Sequence, residues 1–395
     1  TAIGTSDLLA AGFTETLPKG TFMLDTSYNR SWLTNAYDNN GEKGPLIDRI
    51  ERYEPGGGLQ GVITPNVVVT YEILIMQLQY GLSDDLSIGV GVPLVIGTTV
   101  APSLEWTPGD YQQQLGRAYS ERDFWDWAKS MGQPRPDRWT GNVGTVSDII
   151  LGARWRYSDR LAPEWWKRLG LASAFMLFGA IPTGSPPDPE EILAAGTTSW
   201  DLHAQGDLGA HLSLDKTFKE SLDDRLTLGL DVFYEAFLWR RMTTPTGTVH
   251  PLLLNYEPFV GERYSLDPGD FSGFSVQADV VPYKGPARAT WLSDCDAGKA
   301  AAFPPIVSLA FRYTFTHIQQ SDWHSDSDLW DWEREKLWRP GYKNILNGRI
   351  TASLLRIGAP VQLYVNYRTL SLLPGKNTRA ADVVAGGIQV PVKFW

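Results

Sequence analysis

The chain has a single cysteine, Cys295. One thiol cannot close an intrachain disulfide or build a cysteine-based zinc cluster. No Cys-x-x-Cys-His occurs, so no covalent haem is carried. There is also no run of about 18 apolar residues, which excludes a transmembrane helix. Neither Gly-x-Ser-x-Gly nor His-Glu-x-x-His is present, and no other spacing promotes a nucleophile or a zinc site. No catalytic residue, metal site or cofactor is therefore assigned, and the chain is not read as an enzyme. Basic charge is short too: the net charge is -10, which argues against a nucleic-acid partner.

What the sequence does have is alternation. The last stretch, 383–395, reads VVAGGIQVPVKFW. Val384, Ile388, Val390, Val392 and Phe394 fall on one face, with Gln389 and Lys393 on the other, and the final residue is the aromatic Trp395. A period of two means one apolar face and one polar face. Such a strand, ending on an aromatic, is how bacterial outer-membrane barrels finish. The same period recurs over 21–30, 67–82, 86–96, 148–157, 169–182, 201–214, 226–240, 271–283, 306–316, 345–354 and 361–369. The second of these is irregular, because Gln77 and Gln79 fall on the side of Tyr71, Ile73 and Ile75; a β-bulge in that strand would restore its register.

With the closing strand the count is about twelve, an even number as single-chain bacterial barrels have. Connections after odd strands are long and those after even strands short, apart from 284–303 and 370–380. The predicted fold is all-β, a transmembrane antiparallel β-barrel of about twelve strands with long extracellular loops. Mean hydropathy of -0.22 does not oppose this, since only alternate residues would meet lipid. Residues 1–20 read as a tail or a short plug, and 21–395 as the barrel. The chain opens at Thr1 without an apolar leader, which fits a mature form whose secretory signal has been removed. The expected location is the bacterial outer membrane, with its lipids and lipopolysaccharide as neighbours. The rival is a soluble β-sandwich or soluble barrel, which would turn its apolar faces inward.

Three stretches carry a resemblance. They are 80–93, YGLSDDLSIGVGVP; 147–157, SDIILGARWRY; and 181–185, IPTGS. In that order the chain resembles the outer-membrane transporters of the meta-pathway of phenol degradation family, chiefly over strands two to six. The resemblance implies passage of small organic compounds. It transfers no binding residue, because these motifs mark turns and strand ends. The long Trp-bearing outer loops and the insert at 284–303 depart from it.

The alternation also assigns a lumen. Inward positions of strands six to eight carry Asp201, His203, Asp207, His211, Asp231, Glu235 and Asp279. Those of strands nine to twelve carry Arg312, Arg349, Arg368 and Lys393, and strand four carries Arg154. Acids are expected along one arc and bases along the facing arc, a transverse field that would select among solutes. The plainer reading is that these charges pair and fill a narrow bore. His203 and His211 lie eight residues apart on one strand, roughly 27 Å, too far to share a metal. In the outer loops, Asp123–Trp127 and Asp328–Trp332 echo each other, each Asp a candidate N-cap. Trp125, Trp127, Trp330 and Trp332 form either loop helices over the mouth or a platform for a ligand or partner. Asp322, Asp326, Asp328 and Asp331 could bind Ca²⁺ but read better as an acidic solvated loop. Trp165, Trp166 and Arg168 are read as interfacial anchors. Two functions follow: a channel for small solutes, or a barrel that sheathes a partner chain such as a cytochrome or lipoprotein.

Overall fold

The computed structural model describes residues 13–53, 57–112, 116–130, 135, 138–141, 144–184, 206–243, 263–285, 305–324 and 340–393. Twelve strands form the wall: β1 (Thr21–Tyr37), β2 (Leu59–Ser83), β3 (Leu86–Pro108), β4 (Ile149–Trp155), β5 (Leu171–Ile181) and β6 (Asp207–Thr217), followed by β7 (Leu226–Phe237), β8 (Phe271–Tyr283), β9 (Val307–Ile318), β10 (Gly341–Ser353), β11 (Gln362–Thr369) and β12 (Thr378–Lys393). Each pairs antiparallel with the next, and β1 pairs with both β2 and β12, Thr21 facing Lys393. The sheet is a closed twelve-stranded barrel without a free edge.

The outer face explains the solvent this barrel suits. Leu78, Ile88, Leu151, Leu177, Leu212, Leu230, Val232, Val276, Phe311, Ile350, Val365 and Ile388 all point outward and are exposed. In water each would forgo roughly 1.5–3 kcal/mol of burial. Soluble monomers keep contiguous apolar patches to a few hundred Å². A continuous girdle of this kind is the lipid-facing band of a transmembrane barrel. The soluble-barrel alternative fails here, because the leucines and valines are outside and the charges inside.

Strand boundaries differ from the sequence expectation where local pattern was ambiguous. In β2, Tyr71, Ile73, Ile75, Gln77 and Gln79 are all buried on the inner side, so no bulge separates them. The bulge lies instead on β3: Glu72 faces Gly97 and Ile73 faces Val95, leaving Ile96 as the extra residue. The inner wall here is itself apolar at one end, and that made β2 look out of phase. β6 begins at Asp207, and 201–205 lie outside the described residues. β2 and β3 are far longer than the 9–11 residues a crossing needs. Their ends stand clear of the belt, widened by Ile50–Tyr53 on β2 and Trp139–Gly141 on β3. At the opposite end the turns are tight, for example 84–85 and 218–225, the latter set by positive φ at Asp223 and Asp224.

Candidate functional site

The inner wall is where charge collects, and the chain itself enters it. Residues 13–20 fold inward at the short-turn end. Thr14 donates to Asp215 Oδ2 twice, from its backbone N (2.9 Å) and its Oγ1 (2.6 Å). Leu17 N donates to Ser87 Oγ (2.8 Å), and Arg154 Nη1 to the Glu15 carbonyl (3.3 Å). The Phe13 ring lies 4.7 Å from the Arg312 guanidinium carbon. These partners sit on β6, β3, β4 and β9, so the segment reaches across the bore. Phe13 also rests on Gly229, where an added Cβ would come within 2.6 Å of the ring.

Most of the expected lumen residues do face inward. Asp231, 2% exposed, accepts from Ser213 Oγ (2.6 Å) and from His211 Nδ1 (2.7 Å). The His211 ring sits 5.4 Å from both Phe178 and Phe233. Asp207 accepts from Ala180 N (2.9 Å), and its carboxyl hydrogen-bonds to that of Glu235. Gln277 links Asp279 to Arg312, donating from Nε2 to Asp279 (2.8 Å) and accepting from Arg312 Nε (2.7 Å). Arg349 lies over the Tyr364 ring at 3.9 Å. Arg368 is a cross-strand partner of Asn347. Asp201 and His203 lie outside the described residues, as does the Lys393 side chain.

The arrangement of charge differs from the expectation in one respect. The bases of β9 to β11 also adjoin the acids of β6 to β8 around the wall, while Lys343 of β10 interacts with Glu235 of β7, three strands away. The arcs meet at the β8–β9 boundary, where Gln277 stands between Asp279 and Arg312. Sequence reasoning also missed three charged groups. Asp25 is buried, accepting from Tyr364 Oη (2.9 Å) and Gln389 Nε2 (2.7 Å). Asp215 shares the inner face of β6 with His211, and Lys343 lies 4.6 Å from the Phe271 ring. Their signal was parity: each lies an even number of residues from an inward neighbour on the same strand.

The outer loop between β3 and β4 holds a helix, α1 (Glu121–Ser130). Asp123 is not its N-cap. Ser120 caps it, its Oγ accepting from Asp123 N (3.3 Å) while Asp123 Oδ2 accepts from Ser120 N (2.8 Å), a reciprocal capping box. Arg117 adds a two-pronged contact to the same carboxylate, Nη2 to Oδ1 at 2.8 Å. Arg117 and the Ser120 hydroxyl hold the Asp123 carboxyl well below the usual carboxylate range. Trp125 and Trp127 are not an open platform. Trp127 is covered by Arg52, 3.4 Å above its ring, and Phe124 stacks on Trp106 at 5.5 Å, fixing α1 against the β2–β3 extension. Trp330 and Trp332 lie outside the described residues, with Asp326, Asp328 and Asp331. Among the described residues no group of three potential ligands gathers for a metal ion. Trp165 is exposed on the helical turn Glu164–Arg168, a placement suited to a membrane interface.

No protein-family model matches the chain, and no curated protein matches it. The likeness to the phenol meta-pathway family thus has no family-level match behind it. Solved structures do match. The COG4313 outer membrane channel from Pseudomonas putida F1 aligns over 97% of this chain and all of its own, with TM-score 0.54 and 12% identity. The Ralstonia pickettii toluene transporter TbuX covers 96% of this chain and 90% of its own, with TM-score 0.33 and 10% identity. The NanC porin covers 93% and 98%, with TM-score 0.37 and 6% identity. At these identities the first likeness establishes the fold: that of an outer-membrane β-barrel.

Proposed function

We propose that this chain is an outer-membrane channel for small organic solutes, with residues 13–20 as its stopper. The observation that carries this reading is a closed wall with an apolar outside and a charged, hydrogen-bonding inside. Long loops then face the exterior and short turns the periplasm, where the stopper enters. Beyond Asp215, Ser87, Arg154 and Arg312, the stopper is tied to the 81–84 turn, Thr16 Oγ1 to the Asp84 carbonyl (2.8 Å), Lys19 N to Asp84 Oδ1 (2.9 Å) and Gly20 N to the Gly81 carbonyl (2.9 Å); none of these bonds joins two wall strands, so it can be withdrawn without unpairing a strand. The adjoining arcs of acid and base give the bore a lateral field, which favours polar and dipolar solutes over apolar ones. The resemblance in 80–93, 147–157 and 181–185 supports organic compounds as the cargo. A sheath for another chain is disfavoured, because the protein's own segment already crosses the lumen at the periplasmic end.

Planar-bilayer recording of the purified chain tests this. Discrete conductance steps are expected, more frequent after deletion of residues 1–17. A chain that inserts but never conducts, with or without those residues, rules the channel out.

A further inference from the structure

On the wall formed by β10 and β11, three buried polar atoms on neighbouring side chains have no hydrogen-bond partner. Asn347 and Arg349 face inward from β10, and Asn366 faces Arg349 as its cross-strand partner on β11. Arg349 Nε, Asn347 Oδ1 and Asn366 Oδ1 are closed off from the surface and bond to nothing in the chain. Buried polar atoms are nearly always bonded, and an orphan costs stability. Three orphans on two paired strands, including both donor and acceptor, mark a place completed by something other than this protein.

The guanidinium is held in position. It lies over the Tyr364 ring, and that ring covers Gly387, where an added Cβ would come within 2.4 Å of it. The Tyr364 hydroxyl is tied to Asp25, and Asp25 to Gln389. Basic side chains flank the site. The two cross-strand partners of Asn347 are Arg312 and Arg368, and Lys343 lies two inward positions along β10. The acids of the wall nearest to it, Asp25 and Asp279, are already engaged by Tyr364 and Gln277.

We propose that Asn347, Arg349 and Asn366 form a binding site for a small organic carboxylate that carries a hydroxyl group. The guanidinium fork takes the carboxylate. The ligand's single hydroxyl hydrogen goes to one of the two amide oxygens, a role neither chloride nor a plain carboxylate can fill. This rests on the channel reading and deepens it, naming the class of solute that pauses in the bore.

The test is isothermal titration of the detergent-solubilised full chain with 4-hydroxybenzoate, benzoate, phenol and sodium chloride. 4-Hydroxybenzoate should bind at least about tenfold tighter than benzoate or phenol, because a site built for a hydroxyl rejects analogues that lack it. Arg349→Gln should weaken it by about tenfold or more, the size of a lost charged hydrogen bond. Asn366→Leu should narrow the gap between 4-hydroxybenzoate and benzoate. Heat-dependent gel migration confirms that each variant is a folded barrel. Equal affinity for 4-hydroxybenzoate and benzoate, or equal affinity of wild type and Arg349→Gln, overturns the proposal. Titration in detergent does not need conduction. Binding without bilayer current would sink the channel and keep the site; current without binding would do the reverse.

Discussion

Thr14→Val is the sharpest probe of the segment inside the bore. Valine keeps the size and branching of threonine and removes one hydroxyl. Lost is the 2.6 Å bond from Oγ1 to Asp215 Oδ2, while the backbone bond at 2.9 Å remains. A hydrogen bond to a charged group contributes about 1.5–3 kcal/mol. When the segment withdraws, water replaces the hydroxyl at Asp215, so the loss falls on the seated state alone. At 1.4 kcal/mol per decade, the ratio of open to closed channels should rise roughly 10- to 150-fold. The contacts of Leu17 with Ser87, and of Arg154 with Glu15, still favour the seat and set the upper end. The assay is the open-time fraction in single-channel records of the full chain. Asp215→Asn, which keeps an acceptor, should open less than Thr14→Val opens. An unchanged open fraction in Thr14→Val, at unchanged unit conductance, would refute the idea that this segment is the stopper.

Other perturbations reach the loop, the wall and the belt. Ser120→Ala removes the cap of α1 and should cost about 1 kcal/mol, seen as faster hydrogen exchange over Glu121–Ser130. Acid should act there in the same direction. The Asp123 carboxyl is held low in the folded loop, so its support is full above pH ~4, the unfolded value, and is lost as pH falls through the folded one. Hydrogen exchange of α1 should therefore stay flat from neutral pH down to about pH 4 after correction for intrinsic rates, then accelerate. Gly387→Ala forces the Tyr364 ring off the wall and breaks its bond to Asp25; overpacking of this kind costs about 1–3 kcal/mol, read as earlier thermal unfolding in detergent. Leu212→Arg puts a charge in the belt and should cost about 2–4 kcal/mol near the midplane, read as poorer folding into liposomes.

Much of this architecture is visible in the residues. All twelve strands follow from period-two alternation, and the alternating stretch 271–283 coincides with β8 from end to end. Alternation separates two faces but does not say which is wet. That is why β2 misled: Ile73 and Gln77 share an inner face that is apolar toward one end and polar toward the other. β6 runs on to Thr217, whereas the alternation over 201–214 stops one residue before Asp215. Its partner Thr14 is 201 positions away, and nothing local announces the pair. The Asn347–Arg349–Asn366 group depends on the register of β10 against β11, which sequence does not state. The capping box is written in the sequence as Ser120-x-x-Asp123, but Asp123 also heads the stretch that recurs at Asp328–Trp332, and that repeat points to the acid instead of the serine as the cap.

The central claim is that successive residues of each strand face opposite solvents. Spin labels placed one at a time from Leu228 to Tyr234 in liposome-reconstituted protein test it directly. Positions 228, 230, 232 and 234 should be open to oxygen dissolved in lipid, and 229, 231 and 233 should not. A profile without that two-residue rhythm, or labels at 228 and 230 reached first by a water-soluble relaxer, would contradict it.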